Sequence, residues 1–173
     1  MTRATASQTV GPYFRIGMAW GYVDTIAARA GDRVVAVAGR VVDGDGAPVP
    51  DGCLEVWQAD RHGRYAGPAD AWRGFARVPT DADGRWRVTT IVPGAVAPGH
   101  APHVVVSVFA RGLLRRLATR MYFPDEPANA TDPVLALVPP ERRATLVARW
   151  AGGDALVWNV VLQGPGETVF FDH

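Results

Sequence analysis

The stretch His103-Val104-Val105-Val106-Ser107-Val108-Phe109-Ala110 decides the fold. β-Branched and aromatic side chains crowd a helix but pack well on a pleated surface, so this run reads as a strand. From Val104 to Ala110 both alternating sets of side chains are apolar apart from Ser107, which predicts a central strand covered on both faces and the natural place for a site. Working outward, Arg85-Trp86-Arg87-Val88-Thr89-Thr90 alternates instead, with Trp86 and Val88 set against Arg85, Arg87 and Thr89. That pattern predicts a strand with one face in the core and one wet. Further strands are predicted over Arg33 to Val42, Cys53 to Gln58, Arg85 to Ile91, Thr119 to Phe123 and Ala155 to Gln163. Nineteen glycines and fourteen prolines punctuate these segments. Turns are predicted at Asp43-Gly44-Asp45-Gly46, Asp60-Arg61-His62-Gly63 and Asp81-Ala82-Asp83-Gly84.

The fold class that follows is all-β, a single-domain β-sandwich over residues 1–173 with long loops and one or two short helices. The clearest helix candidate is Pro140 to Trp150, which opens with proline and an acidic residue and spaces Leu146 and Trp150 one turn apart. The glycine-, proline- and alanine-rich stretch Val92 to Pro102 reads as a long functional or interfacial loop.

Composition narrows the function. A chain of 173 residues, 48% hydrophobic, is long enough for one substantial core. Its formal net charge of +1 leaves no broad field for nucleic acid or an anionic membrane. All 18 basic residues are arginine, a bias in composition more than a function, although arginine favours fixed, bidentate recognition of carboxylates. The lone Cys53 lies in an apolar run and is expected to be a buried structural thiol. The N-terminus carries no signal-type apolar core, and no stretch is long enough to span a bilayer, so the cytoplasm is the expected location.

No hydrolase triad, phosphate-cradling loop or paired-cysteine metal site is present in the sequence. The candidate ligands are the histidines His62, His100, His103 and His173 and the tyrosines Tyr13, Tyr22, Tyr65 and Tyr122. A metal site built on the 103–110 strand needs side chains at i and i+2, because only alternate residues share a face. The residue two beyond His103 is Val105, so the second ligand is missing. His103 is then expected to be a hydrogen-bonded structural residue.

Several segments resemble the intradiol aromatic-ring dioxygenases, and within them the iron-free alpha subunits of the protocatechuate-cleaving members. They are Ser7-Gln8-Thr9-Val10-Gly11-Pro12-Tyr13, Leu54-Glu55-Val56-Trp57-Gln58-Ala59-Asp60, Phe109-Ala110-Arg111-Gly112 and Gly166-Glu167-Thr168-Val169-Phe170-Phe171-Asp172, in order from one terminus to the other. In this family the catalytic chain holds a non-haem iron(III) with two tyrosines and two histidines, anionic phenolates suiting a hard cation. The resemblance maps these onto Tyr65, Val96, His103 and Val105, so half the set is lost and Tyr65 and His103 are remnants. What it implies is a chain with no metal and no catalytic residue of its own. The iron(III) belongs to a homologous beta subunit in an alpha-beta assembly, with protocatechuate and O2 at the shared site. Residues 1–15 form an N-terminal arm packing on that partner, the C-terminal tail Val169 to His173 covers it as well, and Thr9, Gly11, Pro12 and Arg111 wall its substrate pocket.

Two alternatives stand beside this reading. One is an independent intradiol catechol dioxygenase using Tyr65, His100, His103 and a fourth ligand. The other is a non-enzymatic β-sandwich binding module.

Overall fold

A computed structural model describes residues 4–172. Nine strands form two sheets: β1 (Val34–Val42), β2 (Cys53–Trp57), β3 (Phe75–Pro79), β4 (Arg85–Ile91), β5 (His103–Phe109), β6 (Leu117–Tyr122), β7 (Arg149–Gly152), β8 (Ala155–Val157) and β9 (Val160–Val161). One sheet runs β4-β1-β8-β7, with β9 also pairing β1, and the other runs β3-β2-β5-β6. The 103–110 run is therefore an inner strand, as its two apolar faces require.

The sheets face each other across one apolar core. Val35, Val37 and Val41 of β1 and Trp86 and Val88 of β4 meet Leu54 and Val56 of β2, Val104, Val106 and Val108 of β5 and Met121 of β6. Trp86 and Trp158 meet edge to face, 6.2 Å between centroids. The alternation in β4 has the predicted result, with Trp86 and Val88 buried and Arg85 and Arg87 exposed. Cys53 is buried, and its thiol is pushed up to about 11 by burial, with Glu55 adding to the effect.

The three predicted turns share one device. In each, the leading aspartate accepts backbone N–H groups at i+2 and i+4: Asp43 from Asp45 and Ala47, Asp60 from His62 and Arg64, Asp81 from Asp83 and Arg85. The glycine at i+3 takes the left-handed region that this closure needs, φ 77° at Gly63 and 70° at Gly84.

Two sequence expectations are corrected. Pro140 to Trp150 is not one helix: a 3-10 helix covers Pro140–Leu146, and the chain then extends into β7 at Arg149. Trp150 faces β8 as a strand residue opposite Leu156, so the apparent helical spacing from Leu146 is incidental. The 155–163 strand is two short ones, β8 and β9, broken between Val157 and Val160 where Trp158 turns into the core. Two further helices, α1 (Pro12–Met18) and α2 (Pro133–Leu137), open with proline at the first turn.

The C-terminal tail lies along its own chain. Phe171 pairs with Ala118 on the edge of β6, and Thr119 donates its hydroxyl to the Val169 carbonyl at 2.7 Å. Val169 and Phe171 pack against a second small cluster of Tyr122, Leu135, Val138 and Leu146. His173 of that tail and residues 1–3 of the predicted arm lie outside the described residues. Among the described residues no helix is long and apolar enough to cross a membrane.

Candidate functional site: a cleft on the outer face of the second sheet

Strand register builds the site. Phe75, Trp57, Val105 and Arg120 are successive partners across β3, β2, β5 and β6. Arg77, Glu55, Ser107 and Ala118 form the adjacent row. Each member of one row lies two residues from its counterpart in the other, so both rows share the face turned away from the core. Phe75, Trp57, Val105 and Arg120 of the first row and Glu55 and Ser107 of the second floor a cleft of about 730 Å³, with Tyr65, Arg116, Val134 and Phe171 at its sides.

Of the four positions singled out from the sequence, Tyr65 and Val105 line this cleft. Tyr65 leaves the Asp60 turn and sets its ring 4.4 Å from that of Trp57, centroid to centroid. Asp60 anchors this loop. Burial works against its charge, but the Arg64 N–H, the Arg29 guanidinium and the His62 N–H hold the carboxyl down to about 2. Val96 lies in the loop between β4 and β5, its backbone close against Gly63, two residues from Tyr65. His103 opens β5 and is 3% exposed. Its Nδ1 sits 2.9 Å from the Ala101 carbonyl oxygen, so it is the hydrogen-bonded structural histidine expected from sequence. Burial lowers its pKa, and Arg120 nearby adds to that, so the ring is neutral at neutral pH.

The buried Asp132 supports this corner. Burial would raise its pKa, but N–H groups of Leu135, Ala101 and Val134 and the Tyr122 hydroxyl hold it below the usual carboxylate value. Tyr122 is pushed up to about 12, first by burial.

These residues do not fit iron(III). Positions 96 and 105 carry hydrocarbon, and the side chain directly across from Val105 is a guanidinium, a cation where a metal would need donors. Tyr65 is held as a phenol, its pKa raised by burial despite the charge of Arg120. Among the described residues no group of three or more His, Cys, Asp or Glu could hold a metal ion.

Arg120 is not legible as a site residue from sequence. A lone cation in an otherwise apolar strand is the only signal, and which residue it faces depends on a register that sequence leaves open.

The other predicted site residues gather elsewhere, at the far end of β5. Thr9 Oγ1 accepts the Gly112 N–H at 2.7 Å. Arg111, whose side chain is 60% exposed, pairs with Asp51. Gly11 caps α1, its carbonyl accepting the Phe14 N–H at 3.0 Å, and Pro12 begins that helix. Phe14 packs on Phe109, and Arg15 donates to the Pro50 carbonyl at 3.0 Å, so the N-terminal segment runs along the same edge. Thr9 and Arg111 are thus neighbours, and neither lines the cleft.

A family model described as Dioxygenase matches residues 22–164. The protocatechuate 3,4-dioxygenase alpha chain of Burkholderia cepacia is 47% identical over 98% of this chain and 98% of its own length. The chain belongs to the intradiol dioxygenase family. The protocatechuate 3,4-dioxygenase beta chain of the same organism is 38% identical, over 80% of this chain and 67% of its own. Among solved structures, the dioxygenase domain of a dioxygenase carbohydrate-binding protein fusion from Streptomyces sp. SirexAA-E superposes with a TM-score of 0.69 at 28% identity, over 83% of this chain and 88% of that one. An intradiol ring-cleavage dioxygenase from Tetranychus urticae reaches the same TM-score at 17% identity, a likeness of fold. The chain thus shares the fold of these dioxygenases over most of its length.

Proposed function

We propose that this chain is the alpha subunit of a protocatechuate 3,4-dioxygenase, paired with a homologous beta subunit that holds the iron(III). One observation carries the reading: an alpha chain matches end to end while this chain's own ligand positions hold Val96 and Val105. The assembled enzyme breaks the bond between the two hydroxyl-bearing carbons of protocatechuate. Each carbon gains one atom of O2 and becomes a carboxylate carbon, giving 3-carboxy-cis,cis-muconate with no external reductant. The partner's iron(III) supplies chelation of the catecholate and its activation toward oxygen.

This chain's part is binding and enclosure. Thr9, Gly11, Pro12 and Arg111 form one wall of the partner's pocket, and the Arg111 guanidinium, held in place by Asp51, faces the anionic substrate directly or through water. Residues 1–15 serve as a docking arm. Supporting this, Tyr13 and Ile16 on α1 are 81% and 68% exposed, and Trp20 just beyond is 86% exposed. Large apolar side chains grouped in water mark an interaction surface.

Co-expression with a homologous chain carrying all four ligands tests the proposal. The two chains are expected to co-purify, with iron and protocatechuate-dependent oxygen uptake present in the pair and neither present in this chain alone. About one iron per chain and ring cleavage by this chain alone would overturn it, as would failure of the two to associate.

A further inference from the structure

The cleft on the outer face of the second sheet has no task in the proposed assembly. We infer that it is a binding site for a planar aromatic carboxylate, with Arg120 and Arg116 taking the carboxylate and Trp57 and Tyr65 together forming one wall beside the ring.

Charge argues for an anion. The cleft contains one acid, Glu55, and that is already engaged by Arg77, whose Nε and Nη2 both donate to Oε1 at 2.9 and 2.6 Å. The two remaining cations have no acidic partner among the described residues. Arg116 donates to the Ser107 hydroxyl at 2.8 Å, which neutralises nothing. Arg120 Nη1 is buried with no hydrogen-bond partner at all. A buried guanidinium N–H without an acceptor is costly, and a carboxylate supplies two oxygens in the geometry a guanidinium fork prefers.

Shape and surface argue for a flat ring. Trp57 lies on an inner strand yet is 47% exposed, lining the cleft with Phe75 and with Tyr65, whose ring packs against its own. Val105 separates this aromatic wall from Arg120 as a smooth hydrocarbon floor. From Trp57 to Arg120 is two strand spacings, roughly 10 Å, the reach of one benzoate-sized ring with its carboxylate. The volume of about 730 Å³ falls in the range of small-molecule sites. The site lies wholly within this chain and does not depend on the partner, so its failure would leave the proposed pairing untouched.

The test is equilibrium dialysis of the full chain, or of its co-expressed complex, with 4-hydroxybenzoate, which has one ring hydroxyl and cannot chelate through two. One saturable site attributable to this chain is expected. Arg120→Gln should weaken it at least tenfold, and Arg116→Gln, at an exposed side chain, severalfold. Val105→Trp should abolish it by filling the floor without touching charge. Should Arg120→Gln misfold, Arg120→Lys keeps the charge and is expected to retain part of the binding. Cationic benzamidine should not bind, and inorganic phosphate should bind at least tenfold more weakly. Absence of a site sensitive to these substitutions overturns the inference. So does equal binding of benzamidine, and equal binding of phosphate overturns the aromatic preference.

Discussion

Arg120 and Val105 are direct register partners on β6 and β5, a guanidinium set beside a hydrocarbon side chain on the outer face of the second sheet. A guanidinium on this face would weaken the hold of ligands placed at positions 96 and 105 on any cation. Two unit charges about 4 Å apart repel by roughly 4 kcal/mol at an effective dielectric of 20, and iron(III) carries more than one.

Restoring ligands alone should therefore fail. The double variant Val96→Tyr, Val105→His is expected to bind iron(III) at least tenfold more weakly than the same variant carrying Arg120→Gln. Metal analysis after dialysis against excess iron, with the tyrosinate-to-iron absorption band as a second readout, measures the difference. Equal loading of both would show that Arg120 is no barrier.

His103 makes stability pH-dependent in a definite direction. Its folded pKa is depressed below the ordinary value of 6.5, first by burial, so the unfolded chain binds its proton at higher pH than the folded chain does. Stability is then full above about pH 6.5 and falls as pH drops from there toward the folded pKa, with no further loss from this group below it. Urea denaturation midpoints between pH 7.5 and 5 should decline in the native chain, and His103→Gln should flatten this part of the profile. An unchanged slope in the variant would place the effect on another group.

Asp60 acts at the other end of the scale. Its carboxyl sits at about 2 in the fold against a reference of 3.8, so its contribution is present above about pH 3.8 and is lost as pH falls through about 2. The shift corresponds to at most about 2 kcal/mol. Asp60→Ala, which also strands two turn N–H groups, is expected to cost about 1–3 kcal/mol. Because the turn carries Tyr65, the Trp57–Tyr65 stack should loosen as well, visible as a change in near-ultraviolet circular dichroism. A fully stable variant with an unaltered spectrum would show that the loop is held by other contacts.

Much of this architecture is legible in the amino-acid order because local chemistry and global packing agree. The β5 run announces an inner strand, β4 alternates, and each Asp-x-x-Gly turn closes itself. The failures have physical causes too. Leu146 and Trp150 fit a helical period by coincidence, since Trp150 finds its neighbours across a strand pair. β3 is hidden because Phe75-Ala76-Arg77-Val78-Pro79 ends in proline and carries an arginine whose partner, Glu55, is supplied by another strand. That no histidine stands two residues beyond His103 is visible from spacing alone, but the row Phe75, Trp57, Val105, Arg120 exists only once four strands are in register, and so the cleft is not legible.

Arg111 offers the sharpest separation of stability from function. It follows β5 and pairs with Asp51, but its side chain is 60% exposed, and an exposed pair of this kind contributes about 0–1 kcal/mol. Arg111→Ala should therefore leave the melting temperature and the assembly with the partner nearly unchanged. If the guanidinium faces the partner's substrate, the Michaelis constant for protocatechuate should rise about tenfold, the size expected for losing one charge-assisted contact of roughly 1.5 kcal/mol. Thr9 shares this edge through the Gly112 N–H, so Thr9→Ala should produce a smaller change in the same direction by loosening the segment that positions Arg111. Catechol, which lacks the carboxylate, should be affected less by either change if that group is what Arg111 meets. Steady-state oxygen uptake with both substrates decides: unchanged constants in a correctly assembled Arg111→Ala complex would return this residue to the role of a solvated cation closing the end of β5.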